Sequence, residues 1–88
     1  MKVLMKPIDM IAWFTREGKP NPIRYQIDDE NMDGKIIINV DRVIASQEEK
    51  IAGNRMLVFR CQSVVRGIEK LYELKYEINT CKWFLYKI

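Results

Sequence analysis

The chain closes on two adjoining runs in which apolar and polar side chains alternate. They cover residues 70–77 and 82–88, and a polar break at residues 79–81 separates them. Alternation with a period of two places one set of side chains on each face of a β-strand, and the aromatic residues in both runs favour that half-buried setting. The pattern therefore predicts a β-hairpin whose apolar side completes a sheet or closes a small barrel.

Turn residues divide the rest of the chain into short strands. Gly18 precedes two prolines, and the pair Asp33-Gly34 is a strong hairpin signal between apolar runs. The predicted upstream strands are residues 8–15, 23–27, 35–44 and 55–65. Because Ser46 and Glu49 form a capping-box pattern that ends at Gly53, we expect one short helix near residues 46–53.

These elements predict an all-β, mainly antiparallel fold. With 88 residues the chain forms one domain, residues 1–88, around a core of modest size. The even spacing of the short strands favours a six-strand meander or a small SH3-like barrel. A helix after the third strand is also a feature of the OB-fold, so an OB-like barrel is the alternative.

Composition excludes several classes of function. The chain contains no histidine, which removes the Ser-His-Asp and Cys-His arrangements of nucleophilic catalysis. We therefore expect neither an enzyme nor a bound cofactor. The apolar runs are too short to span a bilayer, and residues 1–7 lack the apolar core of a secretory signal. The expectation is a cytoplasmic protein that makes no membrane contact.

The two cysteines, Cys61 and Cys81, are twenty residues apart and belong to no Cys-x-x-Cys pair. This spacing does not supply the ligand set of a zinc site. Reduced and mostly buried thiols are the interpretation that suits a cytoplasmic protein. A disulfide between neighbouring strands is the alternative.

Positive charge is concentrated toward the end of the chain. Residues 55–88 hold seven Lys or Arg against three acidic residues, whereas residues 1–54 hold eight against nine. Basic residues interleaved with aromatic rings are typical of surfaces that bind single-stranded nucleic acid. The candidate binding residues are Arg60, Lys75, Lys82, Phe84 and Tyr86. The alternative is a solvated basic face whose rings serve the core, and we expect Trp13 and Trp83 to be cross-strand packing residues.

The acidic segment after residue 28 matches the opening of a calcium-binding loop. Asp29, Asn31 and Asp33 alternate and Gly34 follows, so three oxygen ligands precede the glycine that a sharp turn needs. Val40 stands at the twelfth position, where such a loop requires a bidentate glutamate. Weak calcium binding is therefore one interpretation of the segment, and a solvated hairpin loop is the other.

Short motifs are spread over most of the chain. A Gly-x-Pro turn at residues 18–20 leads into Arg24-Tyr25, residues 72–74 are Tyr-Glu-Leu, and residues 83–85 are Trp-Phe-Leu. In these motifs the chain resembles small uncharacterised bacterial all-β domains. The resemblance implies the same fold and brings with it no activity and no site residues.

Taken together, these features favour a non-enzymatic module that binds a protein partner or forms a homo-oligomer. A sheet face or an exposed edge strand, such as residues 23–27 or 56–64, would make the contact. The second hypothesis is a single-stranded nucleic-acid-binding module that uses the basic, aromatic C-terminal strands.

Overall fold

The computed structural model describes residues 1–29 and 34–88, which form one antiparallel sheet of seven strands. The strands are β1 (Val3–Phe14), β2 (Pro20–Asp29), β3 (Gly34–Asn39), β4 (Arg42–Ile51), β5 (Asn54–Val65), β6 (Ile68–Glu77) and β7 (Lys82–Lys87). Their order across the sheet is β3-β2-β1-β7-β6-β5-β4. The predicted all-β, antiparallel class is confirmed. Within these residues there is no helix, and hence none that could cross a membrane.

Two short turns fix the register of the three strands β4, β5 and β6. Ala52-Gly53 joins β4 to β5, and Arg66-Gly67 joins β5 to β6. All four residues have positive φ angles, between 51° and 83°, as the two-residue turns of tight hairpins require. Because these turns match the right-handed twist of the strands, β5 pairs along most of its length with both neighbours.

The predicted helix over residues 46–53 is wrong, because this segment forms the second half of β4 and its turn. Ser46 lies opposite Phe59 and Glu49 lies opposite Met56 in the ladder with β5. A capping box can stabilise only one or two helical turns here, and so short a helix is marginal in water. The ladder against β5 supplies more backbone hydrogen bonds than so short a helix would.

The third predicted strand, residues 35–44, divides into β3 and the start of β4, so that seven strands replace the expected six. The division falls at Val40 and Asp41, where the chain leaves β2 and crosses to β5. Asp41 stabilises this corner through two hydrogen bonds. Its backbone N–H donates to the Gln62 carbonyl at 3.1 Å, and its carboxylate accepts the Val64 N–H at 2.8 Å.

The hydrophobic core forms where the sheet curls over on itself. Strand β1 makes this possible, since its first half pairs with β7 and its second half with β2. Strands β2 and β3 therefore lie over β5, β6 and β7. The buried cluster consists of Tyr25, Ile38, Phe59, Cys61, Tyr72, Leu74, Tyr76, Trp83 and Leu85. The final strand β7 thus lies between β1 and β6 near the middle of the sheet, where it completes the core.

The curled sheet is open, so the SH3-like or OB-like barrel is not formed. A closed barrel requires the two edge strands, β3 and β4, to pair with each other, and the described parts of these strands share no ladder. Side chains bridge the gap instead. Ser63 lies one residue beyond the part of β5 that pairs with β4. It donates its hydroxyl to the Asn39 carbonyl at 2.6 Å, and the Tyr72 hydroxyl lies 2.5 Å from the same Ser63 oxygen.

Polar groups in the core lie beside this bridge. Burial raises the pKa of the Cys61 thiol and of the Tyr72 hydroxyl to about 12. It also raises the pKa of Tyr25, whose ring centroid is 5.7 Å from that of Tyr72 and whose hydroxyl has no hydrogen-bond partner among the described residues. Both cysteines are free thiols, but only Cys61 is buried, because Cys81 lies exposed in the β6–β7 turn.

These raised pKa values predict a stability that is lost at alkaline pH. The folded state keeps Tyr72 and Cys61 protonated up to about pH 12, whereas the unfolded chain releases their protons from pH 10.0 and 9.0 upward. Urea unfolding followed by circular dichroism should give a nearly constant free energy of unfolding from about pH 6 up to pH 9. Above it, the value should fall by about 1.4 kcal/mol per pH unit for each such group. Tyr72→Phe should make the slope shallower; a flat profile to pH 11 would contradict the burial of these groups.

Candidate functional site

All five residues of the predicted nucleic-acid site lie on one surface, the outer face of β5–β7. Phe59, Leu74, Tyr76, Trp83 and Leu85 point into the core, so the residues between them point outward. The outward set includes Arg60 on β5, Lys75 on β6, and Lys82, Phe84 and Tyr86 on β7. Lys75 and Phe84 are direct cross-strand neighbours.

Lys75 is closed off from solvent and from ligands. Only 6% of it is exposed, and its Nζ lies 2.8 Å from a carboxylate oxygen of Glu49 on β4. The same Nζ lies 3.8 Å from the ring centroid of Tyr86, and the Nζ of Lys87 lies 4.9 Å from that centroid. This ammonium group is therefore satisfied by an ion pair and an aromatic ring.

The remaining cations of this face stand next to carboxylates. Arg60 is paired across the strands with Glu73, and Lys82 with Glu77. Hydrogen bonds from Thr80 and Asn54 lower the pKa of Glu77, so it stays charged near neutral pH. Alternating signs weaken the field that a phosphate backbone would meet. Nucleic-acid binding at this face stays a prediction.

Of the proposed calcium ligands, Asp29 is described, whereas Asn31 and Asp33 lie outside the described residues. The Asp29 carboxylate accepts a hydrogen bond from Arg66 at 2.8 Å, and its side chain is largely buried. Within residues 1–29 and 34–88, no group of three or more Cys, Asp or Glu is arranged to hold a metal ion. Asp29 thus serves the contact between the end of β2 and the β5–β6 turn.

A second surface was not expected from the sequence, and it lies on the outer face of β1–β3. Ile8, Met10 and Ala12 pack against the core, which leaves Ile11 and Trp13 on the opposite side of β1. Trp13 is 62% exposed, so the prediction that it is a packing residue is wrong, whereas Trp83 is buried as expected. The sequence contains a pattern that could have predicted this exposure. Ile11 and Trp13 alternate with Met10 and Ala12 along β1, so they share a face with the charged residue Asp9.

Three strands contribute to this surface, which we call the Trp13 face. Ile11 lies opposite Arg24, Asp9 lies opposite Gln26, and Gln26 lies opposite Ile37 of the edge strand β3. Ile37 is 64% exposed, and between it and Ile11 the sheet forms an open depression of about 290 Å³. The Trp13 face consists of Asp9, Ile11, Trp13, Arg24, Gln26 and Ile37.

The charged side chains on and beside the Trp13 face differ in whether a neighbouring side chain pairs with them. The Asp9 carboxylate accepts a hydrogen bond from the Gln26 side chain at 3.3 Å. Lys35, at the margin of the face, lies 3.7 Å from a carboxylate oxygen of Asp28. Arg24 makes no ion pair with any residue that the structure describes. The face therefore presents a guanidinium group with no ion-pair partner among residues 1–29 and 34–88, and exposed apolar side chains surround it.

The edge strands are less suited to binding than this face. Residues 23–27 and 56–64, predicted as edges, lie in the interior strands β2 and β5, and the true edges are β3 and β4. The β5–β6 hairpin contacts Asn39 at the end of β3 and Asp29 at the end of β2. Strand β4 has a register shift between Val43 and Ala45 and carries Glu48, Glu49 and Lys50. An irregular register and charged side chains are common protections against edge pairing.

Comparisons with protein families, with curated proteins and with solved structures find no match to this chain.

The geometry of Lys75 predicts a structural role that can be separated from ligand binding. Lys75→Ala should lower the free energy of unfolding by about 1–3 kcal/mol, because Glu49 loses its partner while part of its side chain keeps water contact. Lys82→Ala is the matched control on the same face, and it should change stability by less than about 0.5 kcal/mol. Urea denaturation of both variants measures the difference. Equal effects would contradict the buried ion pair.

Proposed function

We propose that this chain is a non-enzymatic protein-interaction module of the cytoplasm, and that the Trp13 face is its contact surface. The observation that carries the proposal is the exposure of Trp13 beside Ile11 and Ile37 on a sheet face that no other described element covers. Single apolar side chains are common on protein surfaces, but a contiguous group with an exposed tryptophan indicates a binding site.

The chemistry of the face supports contact with protein. Tryptophan and arginine are the residue types that most often dominate the binding energy of protein interfaces, and Trp13 and Arg24 both lie here. The rigid sheet holds these side chains in place, so binding orders little backbone. On the other outer face Lys75, Glu49 and Tyr86 satisfy one another, and the exposed apolar side chains Val64 and Leu71 have no exposed tryptophan beside them.

The non-enzymatic and cytoplasmic parts of the proposal rest on separate observations. Without histidine, a nucleophile would need another activating group, and burial raises the pKa of the Cys61 thiol to about 12, which keeps it unreactive. Free cysteines, one of them exposed, suit a reducing compartment.

Site-specific photo-crosslinking tests the contact surface. A photoreactive phenylalanine analogue in place of Ile37 should form protein adducts in the native host, because Ile37 lies on the Trp13 face. The same analogue in place of Ile51, equally exposed at 63% but at the tip of the β4–β5 hairpin, is the control and should form few adducts. Equal labelling from both positions, or none from Ile37, would contradict the proposed surface.

Single-stranded nucleic-acid binding is the second candidate, favoured by the position of Arg60, Lys82, Phe84 and Tyr86 on one face. If the Trp13 face is the functional surface, a labelled oligo(dT) should not bind the chain at low salt. Binding that weakens steeply with salt and is lost in Arg60→Glu and Lys82→Glu would favour the second candidate instead.

A further inference from the structure

We infer that the Trp13 face takes a short extended segment of a partner protein, one that carries an apolar anchor side chain and a carboxylate on the same side. The inference rests on the proposed function and names the chemistry of its partner. Three features of the face support it: the charge of Arg24, the depression between Ile11 and Ile37, and the small size of the surface.

Charge complementarity specifies the carboxylate. Arg24 lies between the exposed side chains of Ile11 and Asn39 and has no ion-pair partner among the described residues. The nearby Asp9 carboxylate already accepts the Gln26 amide, and it would repel a second acid placed on that side. A planar guanidinium group pairs with a carboxylate through two parallel hydrogen bonds. A basic segment would leave Arg24 facing a like charge.

The depression specifies the apolar anchor. Its volume of about 290 Å³ accommodates one large side chain. Ile11, Ile37, Met10 and Tyr25 form its apolar lining, and Asp9, Arg24 and Gln26 form its polar lining. Trp13 is two residues beyond Ile11 on the same face, or roughly 7 Å along the strand. Alternate side chains of an extended segment have the same spacing. One side chain can therefore fill the depression while the next on that side covers Trp13.

The size of the face favours a segment over a second copy of the domain. Three strands and the five residues from Asp9 to Trp13 cover roughly 14 × 17 Å, or about 240 Å². Doubling this value for the relief of the side chains still leaves it well below the roughly 800 Å² that each partner contributes to a standard interface between folded proteins. A short segment needs no larger area, because it docks through a few anchor residues.

Selection from a random peptide library tests this chemistry with the full chain. Peptides selected on the wild-type protein should be enriched in Asp or Glu two residues from Leu, Phe or Trp. Selection on Arg24→Glu should reverse the charge preference toward Lys and Arg. Selection on Arg42→Glu, a matched change at an exposed arginine of β4, should keep the acidic preference.

Trp13→Ala and Ile37→Glu should each weaken binding of a selected peptide at least tenfold, whereas Ile51→Glu should leave it unchanged. Circular dichroism confirms that each variant is folded.

The outcomes separate this inference from the proposed function. Selected peptides without acidic preference, or an unchanged preference on Arg24→Glu, would overturn the inferred chemistry. Dimerisation in sedimentation experiments that Ile37→Glu abolishes would also overturn it, since the occupant would then be a second copy, although the Trp13 face would remain a protein contact. Absence of crosslinks from position 37 would instead remove the proposed function itself.

Discussion

The hydrogen bond from Ser63 to the Asn39 carbonyl holds the two halves of the curled sheet together. The described parts of β3 and β5 share no ladder, and the Ser63 side chain links them instead. The Tyr72 hydroxyl meets the same Ser63 oxygen, and the ring of Tyr25 packs on Tyr72. The buried hydroxyls of Ser63 and Tyr72 would be costly to leave unpaired, which makes the position of β3 beside β5 specific.

The curl buries one face of the central strands, whereas the edge strand β4 is exposed along nearly its whole length. The two outer faces of the sheet differ in how far their apolar side chains are covered. On the outer face of β4–β7, Met56 and Val58 are nearly buried although no second layer of the described chain lies above them. Long side chains such as Lys75 and Glu49 cover them, as amphipathic side chains often do. On the Trp13 face the polar side chains are fewer, and Trp13, Ile11 and Ile37 stay exposed. This difference is why we place the interaction surface at β1–β3 and not at the basic C-terminal strands.

Local signals in the sequence were sufficient for the second half of the fold. The glycine of the Arg66-Gly67 turn and the apolar and aromatic content of β5, β6 and β7 predict these strands nearly to their ends. These signals do not predict residues 46–53. Ser46, Glu49 and Gly53 form a local pattern typical of a helix, and only the pairing with β5 makes this segment a strand. The barrel prediction was wrong for a related reason, since strand order depends on long-range contacts such as Ser63 with Asn39.

The candidate site was harder to predict than the fold. Charge and aromatic content point to β5–β7, but the pairing of Lys75 with Glu49 joins residues that are far apart in the sequence. Trp13 is misjudged because an aromatic residue in a strand is usually buried, and only the inward packing of Met10 and Ala12 shows that it points outward.

The most direct test is collisional quenching of tryptophan fluorescence, which measures whether the curled sheet exposes Trp13 and buries Trp83. Trp83→Phe leaves Trp13 as the only reporter, and Trp13→Phe leaves Trp83. We predict that acrylamide quenches Trp13 strongly and Trp83 weakly, because Trp13 is 62% exposed and Trp83 is 7% exposed. Equal quenching of the two, or stronger quenching of Trp83, would contradict the curl and remove the basis for the Trp13 face.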